Sequence, residues 1–114
     1  MGLPSKGSIV LIHFPFSDLS KSKLRPALVI AKTELNDFIL CQITSKNYDD
    51  SNSIKLMDSD FEVGSLRKES FIRYTKIFTA NNSIILTPLG KLKNKKFDNV
   101  IDALIKYLKS SNSH

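Results

Sequence analysis

Short apolar runs separated by polar breaks dominate the first half of the chain and predict a series of strands. Residues 7–14 (GSIVLIHF) begin after a glycine, are rich in β-branched side chains and stop at the breaker FPFSD, which is typical of a strand that ends in a turn. A second strand is expected over 26–32 (PALVIAK), where proline is tolerated at the strand's first position. A third, over 37–45 (DFILCQITS), follows the short loop TELN, and so short a loop favours an antiparallel pair.

The second half predicts further strands separated by polar connections. Residues 46–53 (KNYDDSNS) carry turn-forming side chains and are expected to form a loop. Residues 58–69 are expected to form a connection that holds Gly64. The strands predicted in this half are 53–57 (SIKLM), 70–79 (SFIRYTKIFT), and the apolar centre of 81–90 (NNSIILTPLG), between the Asn81-Asn82 pair and Pro88-Leu89-Gly90.

The hydrophobic period changes near the C-terminus and predicts an amphipathic helix. Asn94 is a candidate N-cap, and Lys106 with Lys109 would lie near the negative end of the helix dipole. Several short strands followed by one helix predict a β-rich α+β fold, with a small, strongly bent antiparallel sheet or half-open barrel and the helix on one face. The length of 114 residues suits a single domain. The apolar positions at helical spacing are Phe97, Val100, Ile101, Leu104, Ile105 and Leu108.

Composition adds a net positive charge and an expected compartment to this picture, without settling a function. The net charge of +6 favours polyanionic partners such as nucleic acid or acidic proteins, although a lysine-rich composition alone can also reflect coding bias and solubility. The single cysteine, Cys41, lies in the apolar run FILCQI and is expected to be buried and inert. The sequence has no apolar stretch of membrane-spanning length and no signal-peptide pattern at its N-terminus, so we expect a cytoplasmic protein.

The sequence contains no pattern that predicts a metal site or a nucleotide-cofactor site. His13 and His114 are the only histidines, and no cysteine, histidine or carboxylate cluster has ligand spacing, so no metal is expected. Without a glycine-rich phosphate loop or a nucleophile elbow, no nucleotide cofactor is expected either. We interpret His13 as a half-buried, hydrogen-bonded residue, and as a lesser candidate for proton transfer.

Polar side chains are expected to converge where three strands end or pass. The rigid donor fork of arginine matches the oxygens of a phosphate and stays charged, so a phosphodiester would fit between two such groups. The residues alone leave an alternative open, in which each arginine pairs with a surface carboxylate such as Asp18, Glu62 or Glu69. The converging set comprises Arg25 before the second strand, Thr44 and Ser45 at the end of the third, and Arg73 with Thr75 on the long strand.

Two lysine-rich segments flank these elements. The loop 17–24 (SDLSKSKL) carries Lys21 and Lys23 beside the expected site, and we interpret it either as a lid or nucleic-acid clamp, or as a solvated hairpin loop. The second cluster is expected to be a solvated entrance to the helix; it consists of Lys91, Lys93, Lys95 and Lys96.

The order of these motifs resembles the MazF/PemK family of bacterial toxins over nearly the whole chain. The resemblance rests on GSIVLIHFPFSDLSKSKLRPALVIAK, then DFILCQITS, then SFIRYTKIFTANNSII, followed by LGKL and a terminal helix. It implies an SH3-like barrel, a homodimer and a metal-independent, sequence-specific endoribonuclease that cleaves single-stranded RNA without a cofactor. It also implies a cognate antitoxin protein, whose extended, acidic and apolar segment would cover the basic groove.

The resemblance implies roles for three residues and fails at two others. Arg25 aligns with the arginine that the family uses at the scissile phosphate, Thr44 with the threonine or serine that closes its site, and Arg73 with an arginine that some members use. Those members carry an aspartate where this chain has Thr75, so the role of that aspartate is not transferred, and His13 does not match the loop histidine of some relatives. Arg25 with Thr44 favours the nuclease, whereas Thr75 favours a non-catalytic barrel that only binds RNA or an acidic peptide.

Overall fold

The structure is a computed structural model that describes residues 4–14 and 23–110. Asp18, Lys21 and His114, and most of the loop predicted over 17–24, lie outside the described residues. Of that loop, Lys23 and Leu24 are described, and both belong to a strand rather than to a loop.

Within the described residues, a seven-stranded antiparallel sheet curls into a half-barrel and is followed by one helix, which confirms the predicted fold. The strand order is β4-β6-β3-β2-β1-β7-β5. Short 3-10 turns at Asp58–Asp60 and Asn82–Ile84 precede β5 and β7. The elements are β1 Ser8–Phe14, β2 Lys23–Lys32, β3 Asp37–Thr44, β4 Ile54–Leu56, β5 Phe61–Gly64, β6 Ser70–Asn81, β7 Ile85–Leu92 and α1 Asn94–Lys109.

Alternation along the strands divides the core between the two faces of the sheet. One cluster contains Leu56 of β4 and Phe61 of β5, which lie on opposite edge strands, and Val100 and Leu104 of α1 pack into it. The edges therefore curl toward each other around this cluster, and the helix covers it. The second cluster uses the other parity of the central strands; its buried members are Val10, Ile12, Ala27, Val29, Phe38, Leu40 and Ala80.

Cys41 lies in the first cluster and has no solvent exposure, which confirms the expected burial. Removal from water disfavours the thiolate and raises the pKa of the Cys41 thiol to about 12. A thiol with so high a pKa is a poor nucleophile at neutral pH. His13, in contrast, lies at an exposed position near the end of β1 rather than half-buried as expected.

Two strand predictions at the β5–β7 edge are wrong. The connection predicted over 58–69 contains β5, in which only Phe61 is buried, so it lacks the apolar pattern that identifies a strand. β7 does not end at Pro88 but continues to Leu92. The register between β1 and β7 shifts at this point, and proline is tolerated at such a bulge because a ladder hydrogen bond is already lost there.

Two boundary predictions are also wrong. β2 begins at Lys23, so Pro26 lies inside the strand instead of opening it. Pro26 pairs with Leu11 of β1, whereas pairing with β3 starts only at Ala27. Proline, which has no backbone N–H, therefore lies where β2 has a partner strand on one side only, and it is tolerated there. Asn94 is the first residue of α1 and not its N-cap, a position that Lys93 holds without a side-chain hydrogen bond.

Candidate functional site

A cavity of about 300 Å³ lies where β2 and β3 part. The two strands pair as far as Ala27 and Gln42, and two residues beyond that pair the register leads to Arg25 and Thr44. Thr44 itself pairs with Phe71 of β6, so the end of β3 stays with β6 while β2 separates from it. The cavity is lined by Leu24, Arg25, Pro26, Ile43, Thr44 and Ser45, and by Leu66, Arg67, Lys68 and Ser70 from the β5–β6 connection and the start of β6.

The lining of this cavity is positively charged. Arg25, Arg67 and Lys68 supply three cations, and none of the described lining residues is acidic. Within 4–14 and 23–110, no carboxylate lies within ion-pair distance of the half-buried Arg25, and Glu69 pairs instead with Lys55 at 2.7 Å. A guanidinium in this setting is suited to an incoming anion.

Two of the three hydroxyl groups that line the cavity have different hydrogen-bonding roles. Thr44 is 4% exposed, and its Oγ1 accepts a hydrogen bond from the Lys46 N–H at 3.1 Å. Because a hydroxyl both donates and accepts, this bond leaves the Thr44 proton available for a ligand in the cavity. Ser70 donates its proton to the Lys68 carbonyl oxygen at 2.9 Å and so fixes the backbone that carries Arg67 and Lys68. Ser45 is exposed and completes the polar side of the cavity.

Arg73 lies on the neighbouring strand β6 but does not line the cavity. Its Nε donates to Asp50 Oδ2 at 3.3 Å, its Nη1 donates to Gln42 Oε1 at 3.1 Å, and its Cζ lies 4.5 Å from the centroid of the Tyr48 ring. The ion-pair alternative is therefore correct for Arg73, although the carboxylate is Asp50 rather than any of the three considered. An arginine held by these contacts is less available to a phosphate.

Thr75 is the second predicted residue that does not line the cavity. Cys41 pairs with Ile77 whereas the next residue, Gln42, pairs with Arg73, so the three β6 residues between these two partners form a bulge in β6 and have no partner in β3. Thr75 lies in that unpaired stretch and is partly exposed. The cavity thus combines Arg25, Thr44 and Ser45 and leaves out Arg73 and Thr75; Lys21 lies outside the described residues, and Lys23 is described only as part of β2.

Arg67 and Lys68 are the charged cavity residues that sequence reasoning missed. They stand side by side in the segment SLRKES, after Gly64, where the only signal is a pair of cations in a polar connection. Such a pair usually belongs to a solvated loop, and the curl of the sheet is what brings it to the ends of β2 and β3.

The basic cluster around the start of α1 is only partly solvated. Lys93 and Lys95 are exposed as expected. Lys96, however, donates to the Lys55 carbonyl oxygen at 2.8 Å and forms an ion pair with Asp60 at 3.1 Å, so it connects the start of the helix to the β4–β5 turn. Its role is thus structural.

Two further searches cover the described part of the chain. Residues 4–14 and 23–110 contain no group of three or more histidine, cysteine, aspartate or glutamate side chains arranged to hold a metal ion. No helix within the same ranges is long and apolar enough to cross a bilayer.

Comparison with solved structures identifies the fold. MazF from Deinococcus radiodurans (Form-I) has a TM-score of 0.74 and 17% identity, with 96% of this chain and 100% of that chain covered. The MazE-MazF crystal structure (Form-III) from the same organism gives 0.75 and 16%, with the same coverage. An endoribonuclease in complex with its cognate antitoxin from Mycobacterial species gives 0.73 and 14%, covering 93% of this chain and 95% of that chain.

Comparison at the level of sequence identifies the family. No curated protein matches the chain. Residues 5–108 match the family model described as PemK-like, MazF-like toxin of type II toxin-antitoxin system. This match spans every described strand and nearly all of the helix. The chain therefore belongs to the PemK-like, MazF-like toxins of type II toxin-antitoxin systems.

Proposed function

We propose that this chain is the toxin of a type II toxin-antitoxin system and cleaves single-stranded RNA in a sequence-specific manner in the cavity between β2 and β3. The observation that carries the proposal is that Arg25 and Thr44 line the same cavity. The described lining residues of this cavity include three cations and no carboxylate. Family membership and the endoribonuclease fold of its structural relatives support the same reaction.

The reaction needs no nucleophile from the protein, because RNA carries one. The 2′-oxygen bonds to the adjacent phosphorus as the bond from phosphorus to the 5′-oxygen breaks. The 2′-hydroxyl loses a proton and the leaving 5′-oxygen gains one, so the products are a 2′,3′-cyclic phosphate and a free 5′-hydroxyl. The protein must align these groups and stabilise the negative charge of the phosphorane. DNA lacks the attacking hydroxyl and is not cleaved.

Arg25 and Thr44 supply the two donors that this transition state requires. Arg25 offers a charged fork to the non-bridging oxygens, where negative charge grows as the phosphorane forms. Thr44 donates its hydroxyl proton to the phosphate, since Lys46 occupies only an acceptor site of that hydroxyl. Both side chains line the same cavity.

The remaining polar groups bind the RNA around the scissile link. Ser45 and the pair Arg67 and Lys68 line the same cavity and contact the phosphates next to the cleaved one. Lys21 and Lys23, in the segment that precedes Arg25, are proposed to contact phosphates of the RNA backbone.

The partners follow from the same charge distribution. An antitoxin with an acidic, apolar segment would cover Arg25 and the neighbouring cations and so prevent RNA from binding. The net charge of +6 favours the binding of such an acidic segment. MazF of Deinococcus radiodurans is solved together with MazE. We propose a single-domain protein that forms a homodimer, acts in the cytoplasm and requires neither a metal nor another cofactor.

Mapping of cut ends tests this proposal. Purified protein is incubated with a long RNA in the presence of a chelator, and discrete cuts that end in a 2′,3′-cyclic phosphate are expected. Arg25→Ala should lower the cleavage rate by ~10²- to 10³-fold, the loss typical of one preorganised donor at an oxyanion. Lys32→Ala is the matched control, because it removes one positive charge from the opposite end of the same strand.

Two outcomes contradict the assignment. Wild-type cleavage by folded Arg25→Ala would remove Arg25 from the reaction. Intact RNA, combined with binding that weakens as salt rises, would instead identify the protein as a non-catalytic member of the family, the alternative that Thr75 favours.

A further inference from the structure

The loop 45–53, which joins β3 to β4, is held in place by its own side chains. Asp49 adopts a positive φ of 56°, and the preceding Asn47 accepts its N–H in a tight turn. The loop therefore presents its side chains in a defined arrangement. The local hydrogen bonds within residues 44–53 are Lys46 N–H to Thr44 Oγ1 (3.1 Å), Asp49 N–H to Asn47 Oδ1 (2.8 Å), Asn52 N–H to Asp50 Oδ1 (2.9 Å) and Ser53 Oγ–H to the Asp50 carbonyl (2.8 Å).

Tyr48 projects from this loop with 49% of its surface exposed. The Arg73 guanidinium lies against its ring, with Cζ 4.5 Å from the ring centroid, and the Lys46 ammonium lies 5.0 Å from the same centroid. Contact with two cations orients an aromatic ring that would otherwise rotate freely at the surface. The ring is thus both exposed and fixed.

Arg73 holds the ring while its own charge is compensated. Its ion pair with Asp50 and its hydrogen bond to Gln42 fix the plane of the guanidinium from two sides. This arrangement explains why an arginine close to the cavity does not line it. Arg73 supports the Tyr48 ring and leaves the phosphate to Arg25.

The fixed ring is close to the proposed reaction site along the chain. Ser45 lines the cavity, and three residues of extended chain span at most about 10 Å, so the Cα atom of Tyr48 lies within about that distance of the Cα atom of Ser45. Thr44 joins the two features directly, because it lines the cavity and accepts the N–H of Lys46.

We propose that Tyr48 is a stacking platform for one base of the single-stranded RNA whose phosphodiester occupies the cavity; this inference rests on the proposed function. An exposed aromatic ring beside a cationic path is the usual element for binding single-stranded nucleic acid, because every base has a π-face. Lys46 next to the ring suits the phosphate of the stacked nucleotide. Tyr48 thereby sets where along the RNA the scissile link is held.

Binding of a cleavage-resistant RNA separates this role from catalysis. The probe is a fluorescent oligonucleotide that contains the mapped cut site, with a 2′-deoxy residue at the attacking position, and fluorescence anisotropy gives its affinity. Tyr48→Ala should weaken binding by about 5- to 150-fold, the range expected for loss of one stacked base. Tyr48→Trp should restore it, since tryptophan also stacks. Tyr107→Ala is the control, because Tyr107 is a similarly exposed tyrosine (38%) on α1.

A series of oligonucleotides with one abasic position each then locates the stacked base. At one position near the cut, loss of the base should weaken wild-type binding about as much as Tyr48→Ala does, and should weaken the variant no further. Additive losses at every position would overturn the proposal. So would Tyr48→Ala binding RNA like Tyr107→Ala, or losing affinity only for an acidic antitoxin peptide, since the ring would then serve a protein partner.

The proposed function and this inference fail differently. If the wild-type protein binds no RNA, both fall together. If it binds and cuts RNA and Tyr48→Ala changes neither affinity nor the choice of cut site, the stacking platform alone is refuted.

Discussion

The Thr44 hydroxyl gives the sharpest test of the proposed site, because two substitutions remove different halves of the same side chain. Thr44→Val keeps the shape and removes the hydroxyl, whereas Thr44→Ser keeps the hydroxyl and removes a buried methyl group. Thr44 is 4% exposed, so both changes affect a packed side chain.

The expected stability losses are similar in size. Valine removes the acceptor of the Lys46 N–H at 3.1 Å, and a typical hydrogen bond contributes about 1 kcal/mol to the free energy of unfolding. Serine loses one buried methyl group, which contributes about 0.8 kcal/mol. For a domain of this size either loss lowers Tm by roughly 4 °C. Thermal unfolding followed by circular dichroism measures both.

The expected activities differ strongly. Thr44→Val should lower the cleavage rate by ~10²- to 10³-fold because the donor to the phosphate is lost, and Thr44→Ser should stay within about tenfold of wild type. Single-turnover cleavage of an RNA with one mapped site, at saturating protein, gives the rate of the chemical step. Equal rates for the two variants would refute the reasoning, because the hydroxyl would then make no contribution beyond packing.

Three other substitutions test the cation pair, the β5–β7 contact and the buried thiol. Arg67→Ala should reduce the slope of log affinity against log salt by about 0.7 for single-stranded RNA, and an unchanged slope would exclude Arg67 from phosphate contact. Gly64→Ala should lower the free energy of unfolding by at least ~2 kcal/mol in urea, because Gly64 has a φ of +77° and a Cβ there would collide with the Leu89 carbonyl oxygen; a variant of wild-type stability would contradict this. Burial raises the pKa of Cys41 from 9.0 to about 12, so the folded protein retains a proton that the unfolded chain loses. The contribution of the protonated Cys41 thiol to the free energy of unfolding is complete below pH 9. Between pH 9 and pH 12 this contribution declines by at most ~1.4 kcal/mol per pH unit. Urea unfolding between pH 9 and 11 should therefore show a shallower decline for Cys41→Ala, and parallel curves would oppose the assignment.

Local pattern was sufficient for the elements that bury a regular apolar face. The helix carries its apolar residues at a strict period, and β1 to β3 are continuous apolar runs, so their type could be predicted without knowledge of their neighbours. β5 could not be predicted in this way. Only Phe61 in it is buried, and it becomes a strand because β7 provides its hydrogen-bond partners.

The residues of the candidate site also differ in whether local pattern was sufficient to place them. Arg25, Thr44 and Ser45 could be placed together because each lies at the end of a predicted strand, and strand ends in an antiparallel sheet meet at a common edge. Arg73 could not be assigned correctly from its position in a strand. Which carboxylate it meets depends on how the loop 45–53 folds back, and that loop brings Asp50 and Tyr48 to it.

By itself, the sequence determined which segments are strands with a buried face, that one helix follows them, and which polar side chains lie at the strand ends. Those properties depend on residues close together in the chain, whose periodicity can be read directly. Only the tertiary structure decided that Arg67 and Lys68 join Arg25, and that Arg73 supports Tyr48 instead. These contacts link segments far apart in sequence, and the curl of the sheet sets their distances.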